Sequence, residues 1–142
     1  LCAAFSQGAL GRAMELAASE EFGALRQELS RFLIELPTKK ESDVLQFEDF
    51  FEQHKDQQEQ IFGLLLLWFR DLLVWKEMGD ERWILNRDMQ SAIVDSSAIY
   101  SRGELMTILS VIGDIQDKLK RNGNYSLAVD WLLLNMVRRT MH

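Results

Sequence analysis

Between Gln57 and Met78 the chain places Ile61, Leu64, Leu65, Trp68, Leu72 and Trp75 at helical spacing on one face, with Phe62, Leu66, Phe69 and Leu73 on the face beside it. A helix that is apolar on two adjoining faces has to be wrapped by others, because a helix lying on a surface needs only one stripe. This segment is predicted to be the central helix of a packed core. Its most apolar run, Ile61 to Phe69, spans nine residues and is too short to cross a bilayer.

The remaining sequence offers helices to wrap it. Leu supplies 22 residues against 17 for Val, Ile and Thr combined, and Gly and Pro number only 8 and 1. That balance excludes a strand-rich sandwich or barrel. Phe22, Leu25, Leu29, Phe32, Leu33 and Leu36 form one helix face, ended by Pro37. Leu45, Phe47, Phe50 and Phe51 make a shorter aromatic stripe within Val44 to Lys55. Gly79 is expected to stop the central helix, and Gly79 to Arg87, carrying Trp83, reads as an irregular connection.

A helix from about Asp88 to Ile99 should follow. Ser101 with Glu104 reads as a capping box opening a helix that bears Leu105, Ile108, Leu109, Ile112, Ile115 and Leu119. Asn122-Gly123-Asn124 closes it and opens the last helix, with Leu127, Trp131 and Leu134 as the expected core stripe. Together with an Ala/Leu helix from Ala9 to Ser19, this predicts an all-α fold, a compact bundle of five to seven helices.

With 142 residues, 47% of them hydrophobic and 27% charged, the chain has the composition of one folded domain. Its net charge of −6 and lack of a basic block argue against an autonomous grip on nucleic acid or a polybasic membrane surface. The single cysteine, Cys2, excludes an internal disulfide framework and a Cys-based zinc site, and fits a reducing, cytoplasmic location. The first charge is Arg12, so the start lacks the basic region of a signal peptide. Leu1 stands where an initiator Met would, and the chain is expected to be a piece of a longer protein.

Candidates for chemistry are few. His54 and His142 lie far apart, and His54 in Gln53-His54-Lys55-Asp56 reads as a solvated helix end. No nucleophile elbow, H-E-x-x-H, calcium loop or phosphate loop is present. Acidic pairs such as Glu48-Asp49 and Asp80-Glu81 are adjacent and diverge on a helix. Neither a catalytic residue nor a metal or cofactor site is expected. Arg70-Asp71, inside the most apolar helix, reads as a pair at the core edge bonded to neighbouring helices. Of the four tryptophans, all are preferred as core residues, while Trp75 and Trp83, which flank the irregular connection, are the candidates for a partner interface.

The string S-Q-G-A-L-G-R-A-M-E-L, at Ser6 to Leu16, resembles the end of the lid domain of AAA+ clamp-loader subunits, with Arg12 at the second-sensor position. L-W-F-R-D-L-L, at Leu67 to Leu73, and R-N-G-N-Y-S-L-A-V-D-W-L-L-L, at Arg121 to Leu134, look like the C-terminal domain of the delta-prime subunit of bacterial DNA polymerase III. The resemblance spans essentially the whole chain. It implies a lid remnant over residues 1–19 and a helical collar over 20–142. Such collars pack side by side, against delta and gamma/tau subunits, into the ring that loads the sliding clamp in DNA replication.

The resemblance further implies a parent loader that is an ATPase within a DNA-directed DNA polymerase holoenzyme. The fragment itself would be an oligomerisation module, neither an enzyme nor a direct binder of nucleic acid. Arg12 is the one match to a position that can touch nucleotide in that fold, and without a phosphate-loop domain here it is assigned no ATP contact. The gamma/tau collar is the alternative within the family. It tends to carry Asn-Pro-Arg before the last helix, where this chain has Asn122-Gly123-Asn124-Tyr125. Two readings from other classes also fit: a free-standing helical adaptor anchored by Trp75 and Trp83, and an all-α enzyme in which Arg70, Asp71 or His54 converge.

Overall fold

The computed structural model describes Gly11 and residues 23–36, 44–120, 127 and 129–133, the side chains of 44–46 excepted. These residues form α1 (Gly23–Glu35), α2 (Val44–Gln53), α3 (Gln58–Met78), α4 (Gln90–Ser97) and α5 (Arg102–Lys120). Single 3-10 turns lie at Lys55–Gln57, Glu81–Trp83 and Arg87–Met89. Residues 129–133 are helical again, and no strand occurs among the described residues. The architecture is the predicted all-α bundle.

The two-faced segment is the centre of it. From Ile61 to Phe69 α3 is buried without a break, as are Leu72 and Leu73, and α3 packs against α5, α4 and α1. Each such Leu or Phe contributes about 2 kcal/mol of transfer free energy when fully buried. Leu25, Leu29 and Leu33 of α1 and Leu105, Ile108, Leu109, Ile112 and Ile115 of α5 supply the facing sides. Phe32 meets Phe47 at 4.7 Å and Phe50 at 5.0 Å between ring centroids, joining α1 to α2. Phe51 lies 6.2 Å from Phe62, joining α2 to α3.

Local chemistry ends and opens the helices as expected. Gly79 has φ 60° and donates its N–H to the Trp75 carbonyl at 2.8 Å, a left-handed cap that costs a residue without a Cβ nothing. Ser101 N–H donates to Glu104 Oε1 at 2.9 Å while Glu104 N–H donates to Ser101 Oγ at 3.1 Å. Both bonds of the capping box are present. Arg102 pairs with Glu77, tying the start of α5 to the end of α3.

Two expectations need correction. The helix expected over Asp88 to Ile99 is shorter: a 3-10 turn covers Arg87–Met89, α4 runs only from Gln90 to Ser97, and Ile99 lies in the turn after it. In the last helix the expected stripe of Leu127 and Trp131 faces outward, 66% and 38% exposed, and Val129, Leu132 and Leu133 are buried instead. The sequence here is apolar on two faces, and the compact i, i+3, i+4 aliphatic set takes the core. Trp131, which can border water through its indole N–H, lies under Lys118 Nζ at 4.6 Å from the ring centroid. Pro37, Asn122-Gly123-Asn124 and Leu134 lie outside the described residues, as do residues 1–19 apart from Gly11.

Candidate functional site

The connection between α3 and α4 lacks a regular ladder, so its backbone N–H groups need acceptors from elsewhere. Those of Trp83, Ile84 and Met89 bond within the 3-10 turns, and Asp71 supplies the acceptors for Leu85 and Asn86. The Asp71 side chain is fully buried. Oδ1 accepts the Leu85 N–H at 3.0 Å, and Oδ2 accepts both the Asn86 N–H and Asn86 Nδ2 at 2.8 Å. Arg70 Nη1 donates to Asp71 Oδ1 at 2.7 Å and to the Trp83 carbonyl at 2.5 Å.

The network reaches α1 as well. Asn86 Oδ1 accepts from Arg26 Nη2 at 2.8 Å, and Arg26 grips Asp88 with two bonds of 2.7 Å. The bond to Asp88 raises the Arg26 guanidinium above its ordinary pKa, against the opposing effect of burial. The same bond holds the Asp88 carboxyl below the usual carboxylate range. Arg26 Nε is buried without a hydrogen-bond partner.

The pairing expected for Arg70 and Asp71 is therefore corrected. Their partners are the backbone and Asn86 of the connection rather than neighbouring helices, because those are the groups that lack acceptors. A carboxylate offers about four lone-pair positions, and four donors approach Asp71, which makes it a structural clamp. Arg26 and Asn86 were missed in the sequence. They lie 60 residues apart, and no local pattern signals that they meet.

The interface candidates part company. Trp75 is half-buried and packs on the core. Trp83 is 48% exposed, against its preferred core reading, while its carbonyl is held by Arg70. Arg12 lies outside the described residues. His54 does stand at the end of α2, its N–H donating to the Phe50 carbonyl at 3.2 Å, but its side chain is less solvated than expected. It is half-buried, with its ring 4.7 Å from that of Phe50, Nδ1 3.2 Å from Gln57 Oε1, and Nε2 3.7 Å from Glu28 Oε2. These contacts share no residue with the Asp71 network. His142 lies outside the described residues.

Among the described residues no three His, Cys, Asp or Glu side chains are grouped to hold a metal ion, and no helix is long and apolar enough to cross a membrane. The arrangement offers buried structural polar bonds and an exposed Trp83 on a pinned backbone.

A family model described as DNA polymerase III, delta subunit, C terminal, matches residues 20–137. The chain belongs to this family. Searches of curated proteins and of solved structures return no match. As a member of the DNA polymerase III delta C-terminal family, the chain is a clamp-loader-related subunit domain, and the described residues of its matched segment fold as an all-α bundle.

Proposed function

We propose that residues from about Glu20 to His142 are the collar of a delta-prime-like clamp-loader subunit, and that residues 1–19 are the end of an AAA+ lid domain. The family match over residues 20–137 supports a clamp-loader-related subunit domain, and the lid and delta-prime parts of the reading rest on the sequence resemblance. The matched family bears the delta subunit's name. Asn122-Gly123-Asn124-Tyr125, in place of the Asn-Pro-Arg of gamma/tau collars, favours delta-prime over the motor subunit.

In this role the module works by burying helix faces against two different neighbours, the delta and gamma/tau subunits. Because the neighbours differ, the contacts are heterologous rather than two-fold self-complementary. Trp83, exposed on a clamped backbone, is the interface residue the geometry favours, and Trp75 supports it from the core side. The domain carries no catalysis, takes no cofactor and stays off DNA in the cytoplasm, in keeping with its net charge of −6.

Removing this region from the parent subunit should abolish co-elution with the delta and motor subunits on gel filtration. A truncated subunit that still co-elutes refutes the ring role. The isolated domain should show no ATP hydrolysis, and no micromolar affinity for duplex DNA at about 150 mM salt.

A further inference from the structure

Arg26 of α1 pairs with Asp88, whose side chain is 63% exposed, yet its own side chain is only 13% exposed. Its Nε is buried with no hydrogen-bond partner among the described residues. A pair with so accessible a carboxylate stabilises little, and it does not by itself offset an unbonded buried N–H. What burial does achieve is contact with Asn86: Arg26 Nη2 donates to Asn86 Oδ1 at 2.8 Å.

From Asn86 the bonds run on without a gap. Asn86 Nδ2 donates to Asp71 Oδ2 at 2.8 Å. Arg70 Nη1 donates to Asp71 Oδ1 at 2.7 Å, and the same nitrogen donates to the Trp83 carbonyl at 2.5 Å. Asn86 and Asp71 are buried and Arg70 is mostly so, so water competes little for these links. The order of the groups is demanding too. A guanidinium only donates and a carboxylate only accepts, so a side chain joining Arg26 to Asp71 has to accept on one side and donate on the other. The Asn86 amide does both, which fixes its orientation and ties α1 to Asp71.

We infer that Arg26 is a positioning residue for Trp83: acting through Asn86, Asp71 and Arg70, it sets the peptide group from which the exposed indole projects, so that a displacement of α1 is felt at Trp83. The use of this coupling in recognition rests on the reading of Trp83 as a partner contact. The coupling itself belongs to the chain alone and is measured there. Hydrogen-bonded networks carry couplings worth about two- to thirtyfold in an equilibrium.

The Ile84 N–H reports the far end of the relay, because it shares a peptide group with the Trp83 carbonyl; it donates to the Glu81 carbonyl at 3.1 Å. The test is amide hydrogen exchange by NMR on the whole 142-residue chain. Arg26→Gln should speed exchange about tenfold or more at Leu85 and Asn86, and about threefold or more at Ile84. It should also shift the indole N–H resonance of Trp83, which a general loss of stability leaves in place. Arg26→Lys keeps the charge and the stem but not the planar fork. It should show the same pattern at smaller size, and it decides the matter if Arg26→Gln does not fold. Glu28→Gln, on the same helix but off the network, should leave Ile84 within about twofold. With Arg70→Gln already present the last link is gone, and adding Arg26→Gln should change Ile84 exchange by less than about twofold.

An Ile84 amide and a Trp83 indole unmoved in both Arg26 variants, an equal change in Glu28→Gln, or full acceleration of Ile84 in the Arg70→Gln background would each overturn the inference. None of these bears on co-elution of the parent subunit with its partners, so the ring role and the coupling fail separately.

Discussion

One oxygen of Asp71 receives both donors of Asn86: the backbone N–H and the side-chain Nδ2 each reach Oδ2 at 2.8 Å, across a sequence separation of 15. A single residue of the connection is thus held twice by a single buried atom of the central helix. Asp71→Ala leaves the Leu85 and Asn86 N–H groups without acceptors and Arg70 without its carboxylate. We expect a loss of about 3 kcal/mol, read by urea denaturation. Asn86→Ala, which removes the side-chain half only, should lose about 1–2 kcal/mol. A loss under about 1 kcal/mol for Asp71→Ala would show that the clamp is dispensable.

Gly79 separates conformational cost from crowding. A Cβ there would meet nothing within 4 Å, yet φ is +60°. Gly79→Ala should therefore destabilise by about 1 kcal/mol through backbone strain alone. Gly79→Asn should cost less, since Asn tolerates the left-handed region. Equal melting temperatures for wild type and Gly79→Ala would contradict the cap.

The Arg26–Asp88 pair predicts a pH dependence with a definite sign. The folded-state pKa of Asp88 is lowered, chiefly by its bond to Arg26, so its contribution is present above the unfolded value of about 3.9 and is lost as pH falls through the folded value. The Asp88 side chain is 63% exposed, and screening limits the effect to about 0.5–1 kcal/mol at neutral pH. Asp88→Asn should lower stability at pH 7 by that amount and match wild type near pH 2. A constant gap across that range would contradict the linkage.

Glu48 carries the opposite sign. Desolvation, then the charge of Asp130, raises its folded-state pKa. For a raised group, stability is fully present below the unfolded value, about 4.3, and is lost as pH rises through the folded value. Glu48→Gln should thus stabilise at pH 7, by no more than about 0.5 kcal/mol at this accessible site. A destabilised variant would show that Glu48 has a favourable partner at neutral pH.

The helices that announce themselves through short-range chemistry were readable in the sequence. α3 declared its central place by having two apolar faces, Gly79 by its position after Met78, and α5 by Ser101 and Glu104. The Asp71 network was not readable, because a carboxylate's partners lie 14 and 15 residues further on, where hydrogen bonding depends on the path of an irregular segment. The orientation of the last helix was ambiguous for a different reason. With apolar residues on both sides, periodicity allows Trp131 inside or outside, and only packing against the core decides.

The hold of Arg70 on the Trp83 carbonyl has a consequence for recognition. Immobilising a loose segment upon association subtracts from affinity. Here the ordering of the α3–α4 connection is completed during folding, by charge-assisted bonds from the most deeply buried helix. Any surface laid over Trp83 meets a preorganised platform. The strength of the contact proposed there is therefore coupled to the stability of the core beneath it, and loosening the clamp would appear at that proposed face as a faster off-rate before it appeared as unfolding.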